Sequence, residues 1–195
     1  GIGIIDTVHL IEVAQSLLRL QQAGVLPAED AKVTKEWFAS YTADYDMEDP
    51  KIALKAVHTY HVAELCQTIA ESLALNEVEC MAAWLSGLLH DVGRFEQIRR
   101  FNTFSDADSI DHALLSTEIL FGTKEDASCG RIRQVILDPS WDIYLYKAIK
   151  YHSAYRLPPD LSEMEKTYCQ ILRDADKIDI FRVNLETPME DIYNT

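Results

Sequence analysis

The 195-residue sequence contains little glycine and proline, only seven and six residues respectively. These residues stand mostly at breaks between segments whose apolar residues recur at helical spacing, and no stretch shows the alternation of a half-buried strand. No apolar run reaches about 18 residues, which argues against a membrane span, and no secretory signal is visible. These absences predict an all-α globular protein without a membrane partner.

Basic residues are also scarce: 18 lysines and arginines stand against 32 aspartates and glutamates, for a formal net charge of −14. This charge repels phosphate backbones and argues against non-specific nucleic-acid binding. It is compatible with a small phosphorylated substrate, because a bound metal can reverse the local field. The four cysteines form no Cys-x-x-Cys pair, and their positions in helical patterns indicate reduced thiols and a cytoplasmic protein. The oligomeric state is left open.

The chain length suits one domain with a substantial core. We expect a single domain over 1–195, in which N-terminal helices within 1–50 pack on a helical core at 51–183. Because the chain ends at Asn194-Thr195 without an obvious terminal element, we also expect it to be C-terminally incomplete. Apolar periodicity predicts helices at about 4–22, 28–45, 51–75, 77–91, 94–101, 110–121, 128–137, 142–153 and 162–184.

Histidine and aspartate side chains interrupt the apolar stripes of five predicted helices. The pair His90-Asp91 ends the almost wholly apolar run 81–89 and precedes Val92-Gly93-Arg94. A single histidine on such a stripe is more often a hydrogen-bonded core residue than a metal ligand. A buried ionised aspartate is costly unless it is paired or bound to a metal. The residues on the other four stripes are His58, His112, His152 and Asp176.

Taken separately, each of these side chains would need its own buried partner, whereas metal binding would satisfy all of them together. Asp176, for example, could pair with Arg173 or Lys177. Imidazole and carboxylate ligands without thiolate suit Mn, Fe, Co, Ni or Zn, and Mg is also compatible. Six ligands are too many for one open catalytic ion. They fit a site with two divalent metal ions in which Asp91 bridges the pair.

Three segments resemble the H…HD…D signature of the HD-domain superfamily of metal-dependent phosphohydrolases, over about 51–183. They are His58-Thr-Tyr-His-Val-Ala-Glu-Leu, Leu-Leu-His90-Asp91-Val-Gly-Arg and Ala-Asp176-Lys-Ile-Asp. His112 and His152 resemble the two extra histidines of the six-ligand (H-HD-H-H-D) dinuclear branch. The resemblance implies an all-α HD-domain helical bundle with two metal ions between the helices, and it selects Asp176 rather than Asp174 as the last ligand.

The resemblance implies a metal-activated water that cleaves a phosphate mono- or diester of a small nucleotide or metabolite. Metal 1 would be held by His58, His90, Asp91 and Asp176, and metal 2 by Asp91, His112 and His152. Besides the bridging Asp91, Arg94 is a candidate clamp for phosphate oxygens, although it could equally be a solvated helix-start arginine. Lys177 is a weaker catalytic candidate because it could simply neutralise Asp176. The polar segment 102–109 could form one wall of the site.

Other functions share parts of this pattern. The chain lacks the Gly-Tyr-Pro element of the HD-GYP phosphodiesterases, so cyclic di-GMP is not the expected substrate. The same H-HD-H-H-D set resembles mixed-valent di-iron oxygenases that act on myo-inositol and on phosphonates. A catalytically idle, nucleotide-sensing domain is a second alternative, against which the complete ligand set argues. The ligands alone do not separate a hydrolase from an oxygenase.

Overall fold

The computed structural model describes residues 28–136 and 138–187, and within these ranges the chain is helical and contains no strand. The all-α fold class is therefore confirmed. The predicted helix at 4–22 lies outside the described residues. The α-helices are α1 (Ala28–Ala43), α2 (Pro50–Ser72), α3 (Glu77–Leu89), α4 (Val92–Phe101), α5 (His112–Phe121), α6 (Asp142–Tyr151) and α7 (Glu163–Glu186). Short 3-10 turns occur at Ala127–Cys129, Ile132–Gln134 and Pro139–Trp141.

The helix predicted at 128–137 is wrong, because the chain there forms two separate 3-10 turns. Gly130 has an extended backbone that ends the first turn. Its Cα also lies against the end of α5, where an added Cβ would come within 2.5 Å of the carbonyl carbon of Phe121. The next backbone N–H, that of Arg131, donates to the Ile119 carbonyl of α5 at 3.0 Å, so the chain here bonds to α5 instead of continuing a local helix.

Helix α3 forms the centre of the bundle. Asn76 begins this helix with a capping box. Its side-chain oxygen accepts from the backbone N–H of Glu79, while its backbone N–H donates to the Glu79 carboxylate. Every residue from Cys80 to Leu89 is buried, and the helix packs against α2, α6 and α7. At Gly87 an added Cβ would lie 2.6 Å from the Cα of Ala63 on α2. These two helices thus touch backbone to backbone, which brings their polar side chains close together.

A second close contact joins α4 to α5. The amide of Gly93 donates to the hydroxyl of Ser116 at 2.9 Å, and an added Cβ would lie 2.5 Å from the backbone oxygen of His112. Tyr41 of α1 holds the other side of α4, because its hydroxyl donates to the Val92 carbonyl at 2.6 Å. The junction between α3 and α4 is therefore fixed against the first turn of α5.

The remaining expectations concern a membrane span, the cysteines, the domain boundaries and the location of the protein. No helix in the described part of the chain is long and apolar enough to cross a membrane. All four cysteines are free; three are buried, whereas Cys129 is exposed. The domain boundaries, the C-terminal incompleteness and the cytoplasmic location stay predictions.

Candidate metal centre

The six residues predicted as metal ligands come together in the interior of the bundle. His58 lies in α2, His90 and Asp91 occupy the junction of α3 and α4, and Asp176 lies in α7. His112 is the first residue of α5, and His152 directly follows α6. Their exposed fractions run from 0% for His90 to 8% for Asp176. The fold therefore places four imidazoles and two carboxylates in a space almost closed to water.

All four histidines direct Nε2 towards the centre and bind an acceptor through Nδ1. A carbonyl oxygen or carboxylate next to Nδ1 favours a proton on that atom, which leaves Nε2 free as a metal ligand. The Nδ1 contacts are His58 with Asp179 (2.7 Å), His90 with the Gly87 carbonyl (2.6 Å), His112 with Asp106 (2.6 Å) and His152 with the Ile149 carbonyl (2.7 Å).

Asp91 lies between two pairs of histidines. Its Oδ2 is 3.8 Å from Nε2 of His58 and 3.5 Å from Nε2 of His90. Its Oδ1 is 3.6 Å from Nε2 of both His112 and His152. Each carboxylate oxygen thus faces a different imidazole pair. This is the arrangement required of a carboxylate that contacts two ions.

Asp176 completes the first of these two groups. Its Oδ1 is 3.2 Å from Nε2 of His58 and 3.7 Å from Nε2 of His90. No ion pair within the described residues joins Asp176 to Arg173 or Lys177, so the alternative partners considered from the sequence do not contact it. Asp174, two residues earlier, is exposed.

Unpartnered polar atoms test whether this donor set fits a metal. Nε2 of His58, Nε2 of His90 and Oδ1 of Asp91 are buried and have no hydrogen-bond partner among the described residues, at a cost of about 1–3 kcal/mol each. The Nε2 atoms of His112 and His152 lie 3.0 Å apart, about the separation of two adjacent ligands each roughly 2.1 Å from one ion. Divalent ions would satisfy all of these atoms, so the residues fit them.

The electrostatic environment favours the protonation states that metal ligation needs. Burial alone would raise the pKa of the Asp91 carboxyl. The Lys55 ammonium, 2.8 Å from Oδ2, and the surrounding imidazoles outweigh burial and hold this pKa well below its usual range. Burial likewise opposes ionisation of Asp176, but His58 and His90 lower its pKa. The pKa of His112 is lowered, chiefly by burial. The site therefore combines ionised carboxylates with a neutral imidazole.

Asp179 supports the site and was not predicted as a functional residue. It accepts from Nδ1 of His58, is 3.2 Å from Nδ1 of His61, and accepts from Arg182 at 2.6 and 3.0 Å. The spacing gave a signal, because Asp179 follows Asp176 by three residues on the same helical face. Asp179 fixes the ring of His58 from the side opposite the cluster.

Asp106, in the segment between α4 and α5, supports the second histidine pair. Its Oδ2 contacts Nδ1 of His112, while its Oδ1 accepts from Arg94 and from Gln97, both at 2.9 Å. Burial opposes its ionisation, but the contacts with His112 and Arg94 lower its pKa to about 2. The polar segment therefore does form a wall of the site.

The two predicted catalytic cations occupy different environments. The side chain of Arg94 is only 13% exposed. Its Nη1 donates to Gln97, to the Phe104 carbonyl and to Asp106. Its buried Nε has no hydrogen-bond partner in the described part of the chain and lies 3.9 Å from Oδ1 of Asp91. Lys177 is exposed, with Nζ 3.5 Å from the carbonyl of Arg173 on its own helix. The structure thus places Arg94 beside the cluster, whereas the Lys177 side chain is exposed.

Comparison with known proteins supplies the family. Comparisons with curated proteins and with solved structures found no significant match. The sequence model of the HD domain matches residues 56–180, which is more than half of the chain and includes His58, His90-Asp91 and Asp176. By this match, the chain belongs to the HD domain family.

Proposed function

We propose that this protein is a phosphohydrolase that uses two divalent metal ions to cleave a phosphate ester of a small molecule. HD domains are mostly metal-dependent hydrolases and bind divalent metals. The observation that carries the proposal is the position of Asp91, whose two oxygens face two separate histidine pairs. Mn, Fe, Co, Ni and Zn suit these ligands, and Mg is compatible.

The residues divide into two ligand groups that share Asp91. The first group would be His58, His90, Asp91 and Asp176, and the second would be Asp91, His112 and His152. When bound, the two ions would lower the pKa of a water molecule and polarise the phosphate. The near-complete burial of these ligands restricts bulk water and strengthens electrostatic interactions within the site.

The chain's own cations would hold the substrate. Arg94 is fixed by Gln97, Phe104 and Asp106 through Nη1, which leaves the unpartnered Nε towards the cluster. A guanidinium fixed in this way can donate to phosphate oxygens as negative charge develops on them. We therefore propose Arg94 rather than Lys177 as the phosphate-binding residue, because Lys177 is exposed and its ammonium lies 3.5 Å from the Arg173 carbonyl of its own helix.

The test is reconstitution of the chelator-treated protein with Mn or Fe under anaerobic conditions, followed by a screen of phosphate esters and a separate oxygen-uptake assay. We expect release of inorganic phosphate without oxygen consumption. Asp91→Ala should abolish this release, while Asp174→Asn, an exposed control on α7, should retain it. Oxygen consumption with an alcohol or phosphonate, and no ester cleavage, would instead identify the oxygenase. No activity together with nucleotide binding would identify the sensing domain.

A further inference from the structure

A small cavity opens directly beside the metal cluster. Its volume is about 140 Å³. His58 belongs both to this cavity and to the cluster, and Lys55 joins the two because its ammonium contacts Oδ2 of Asp91. Among the described residues, those that line the cavity are Leu54, Lys55, His58, Arg94, Phe104, Ile180, Val183 and Asn184. A molecule bound here would lie next to the groups that carry the proposed reaction.

The chemistry of the lining indicates an anion with an apolar part. Lys55 and Arg94 supply two cationic groups, which also contact Asp91 and Asp106 respectively. No acidic side chain is among the described residues that line the cavity, although the chain as a whole is strongly acidic. Four other members are apolar, and Phe104 is the aromatic one. The Lys55 ammonium lies 5.5 Å and the Arg94 guanidinium 6.0 Å from the centre of the Phe104 ring. The two cationic groups and the aromatic ring of Phe104 therefore lie side by side in one cavity.

The volume limits the organic group. A cavity of about 150 Å³ holds one benzene molecule, whereas pockets for drug-sized ligands measure roughly 300–1,000 Å³. The base and ribose of a nucleoside together would extend beyond this space, which is open to solvent on one side. A single ring or a short carbon chain fits it.

We propose that the substrate is a phosphate monoester of a compact apolar or aromatic alcohol, with its phosphate near Lys55 and Arg94 and its organic group against Phe104. This inference rests on the proposed phosphohydrolase function and adds the substrate class. The carbonyl of Phe104 accepts from Arg94, so the ring that contacts the organic group and the cation that contacts the phosphate are fixed to each other. Lys55 supplies the second cation at the boundary between cavity and cluster.

Binding to the Mn-loaded full chain tests the inference without turnover. Isothermal titration compares phenylphosphonate, which is not hydrolysed, with inorganic phosphate. Phenylphosphonate should bind the wild type about tenfold more tightly, the contribution of a well-packed aromatic ring. Phe104→Ala and the milder Phe104→Leu should remove most of this difference. Phe101→Ala, a change to a 46% exposed aromatic residue outside the cavity, should keep it. Lys55→Gln should weaken both ligands alike, and metal content is measured for every variant.

Turnover gives a second comparison, in which phenyl phosphate should be cleaved with a higher kcat/KM than 5′-AMP. The inference is overturned, with the phosphohydrolase function intact, if phosphate binds and esters are cleaved but phenylphosphonate binds no more tightly than phosphate. A preference for 5′-AMP overturns it equally. If the metal-loaded protein binds no phosphate and cleaves no ester, the proposed function fails and the inference fails with it.

Discussion

Three aspartates on α7 should respond very differently to the same substitution by asparagine. Asp176 is buried, with Oδ1 3.2 Å from Nε2 of His58. Asp179 is buried and contacts the opposite ring nitrogen, Nδ1, of His58. Asp174 is exposed. Because helix, residue type and change of volume are the same in all three, a difference in metal binding reports each residue's relation to the cluster.

The expected magnitudes follow from these positions. Asp179→Asn alters a carboxylate that orients a ligand, which weakens metal binding by about 10–100-fold, or about 1.4–2.7 kcal/mol. Asp176→Asn replaces a charged ligand with a neutral one and should cost more than about 100-fold. Asp174→Asn should leave metal binding unchanged and alter stability by no more than about 0.5 kcal/mol.

Thermal unfolding with and without metal measures the series. Each variant is compared with its own metal-free form, so changes in metal-free stability cancel. At a fixed metal concentration well above every Kd, the stabilisation of the folded protein by metal falls by the full loss of binding free energy. For a domain of about 150–250 residues, about 2–4 °C per kcal/mol applies. The metal-induced rise in Tm of Asp179→Asn should therefore be smaller than that of wild type by about 3–11 °C. Equal losses from Asp174→Asn and Asp176→Asn, or wild-type behaviour of Asp179→Asn, would refute the reasoning.

Elemental analysis should find about two metal ions per wild-type chain, about one in His112→Ala and none in Asp91→Ala. A wild-type protein that binds no metal on titration would contradict this prediction. Arg94→Ala should keep its metal but lower kcat/KM by about 10²–10³-fold, and Arg94→Lys should recover only part because lysine lacks the guanidinium fork. A kcat/KM of Arg94→Ala equal to that of wild type would show that Arg94 takes no part in the reaction. Gly93→Ala should cost about 1–3 kcal/mol of unfolding free energy, because its Cβ would meet the backbone oxygen of His112 at 2.5 Å. A denaturation midpoint equal to that of wild type would argue against this close packing.

Local signals made most of the helical fold predictable. Apolar periodicity is a property of short segments, and the helices that it predicted within 28–121 and 142–187 are present. The helix predicted at 128–137 was wrong for a non-local reason. Its conformation depends on the approach of Gly130 to the end of α5, a contact that sequence periodicity does not contain.

The clustering of the six candidate ligands was predictable because five of them place a polar side chain on an apolar stripe, and Asp91 directly follows one of the five. The residues that support them gave weaker signals or none. Asp179 shares a helical face with Asp176, so spacing indicated that it lies nearby. Lys55 precedes His58 by three residues, but lysines commonly lie at the edge of a buried stripe with the charge in solvent. Its contact with Asp91 depends on how α2 and α3 pack.

Asp106 shows most clearly why residues that support a site escape sequence analysis. It lies in an irregular segment, where neither helical nor strand periodicity applies. Its carboxylate nevertheless contacts His112 through one oxygen and Arg94 through the other. Its pKa of about 2 keeps it ionised across the physiological range. One side chain therefore sets the distance between a candidate metal ligand and the proposed phosphate clamp. The spacing of these two groups is accordingly a property of the segment between α4 and α5, not of either helix alone.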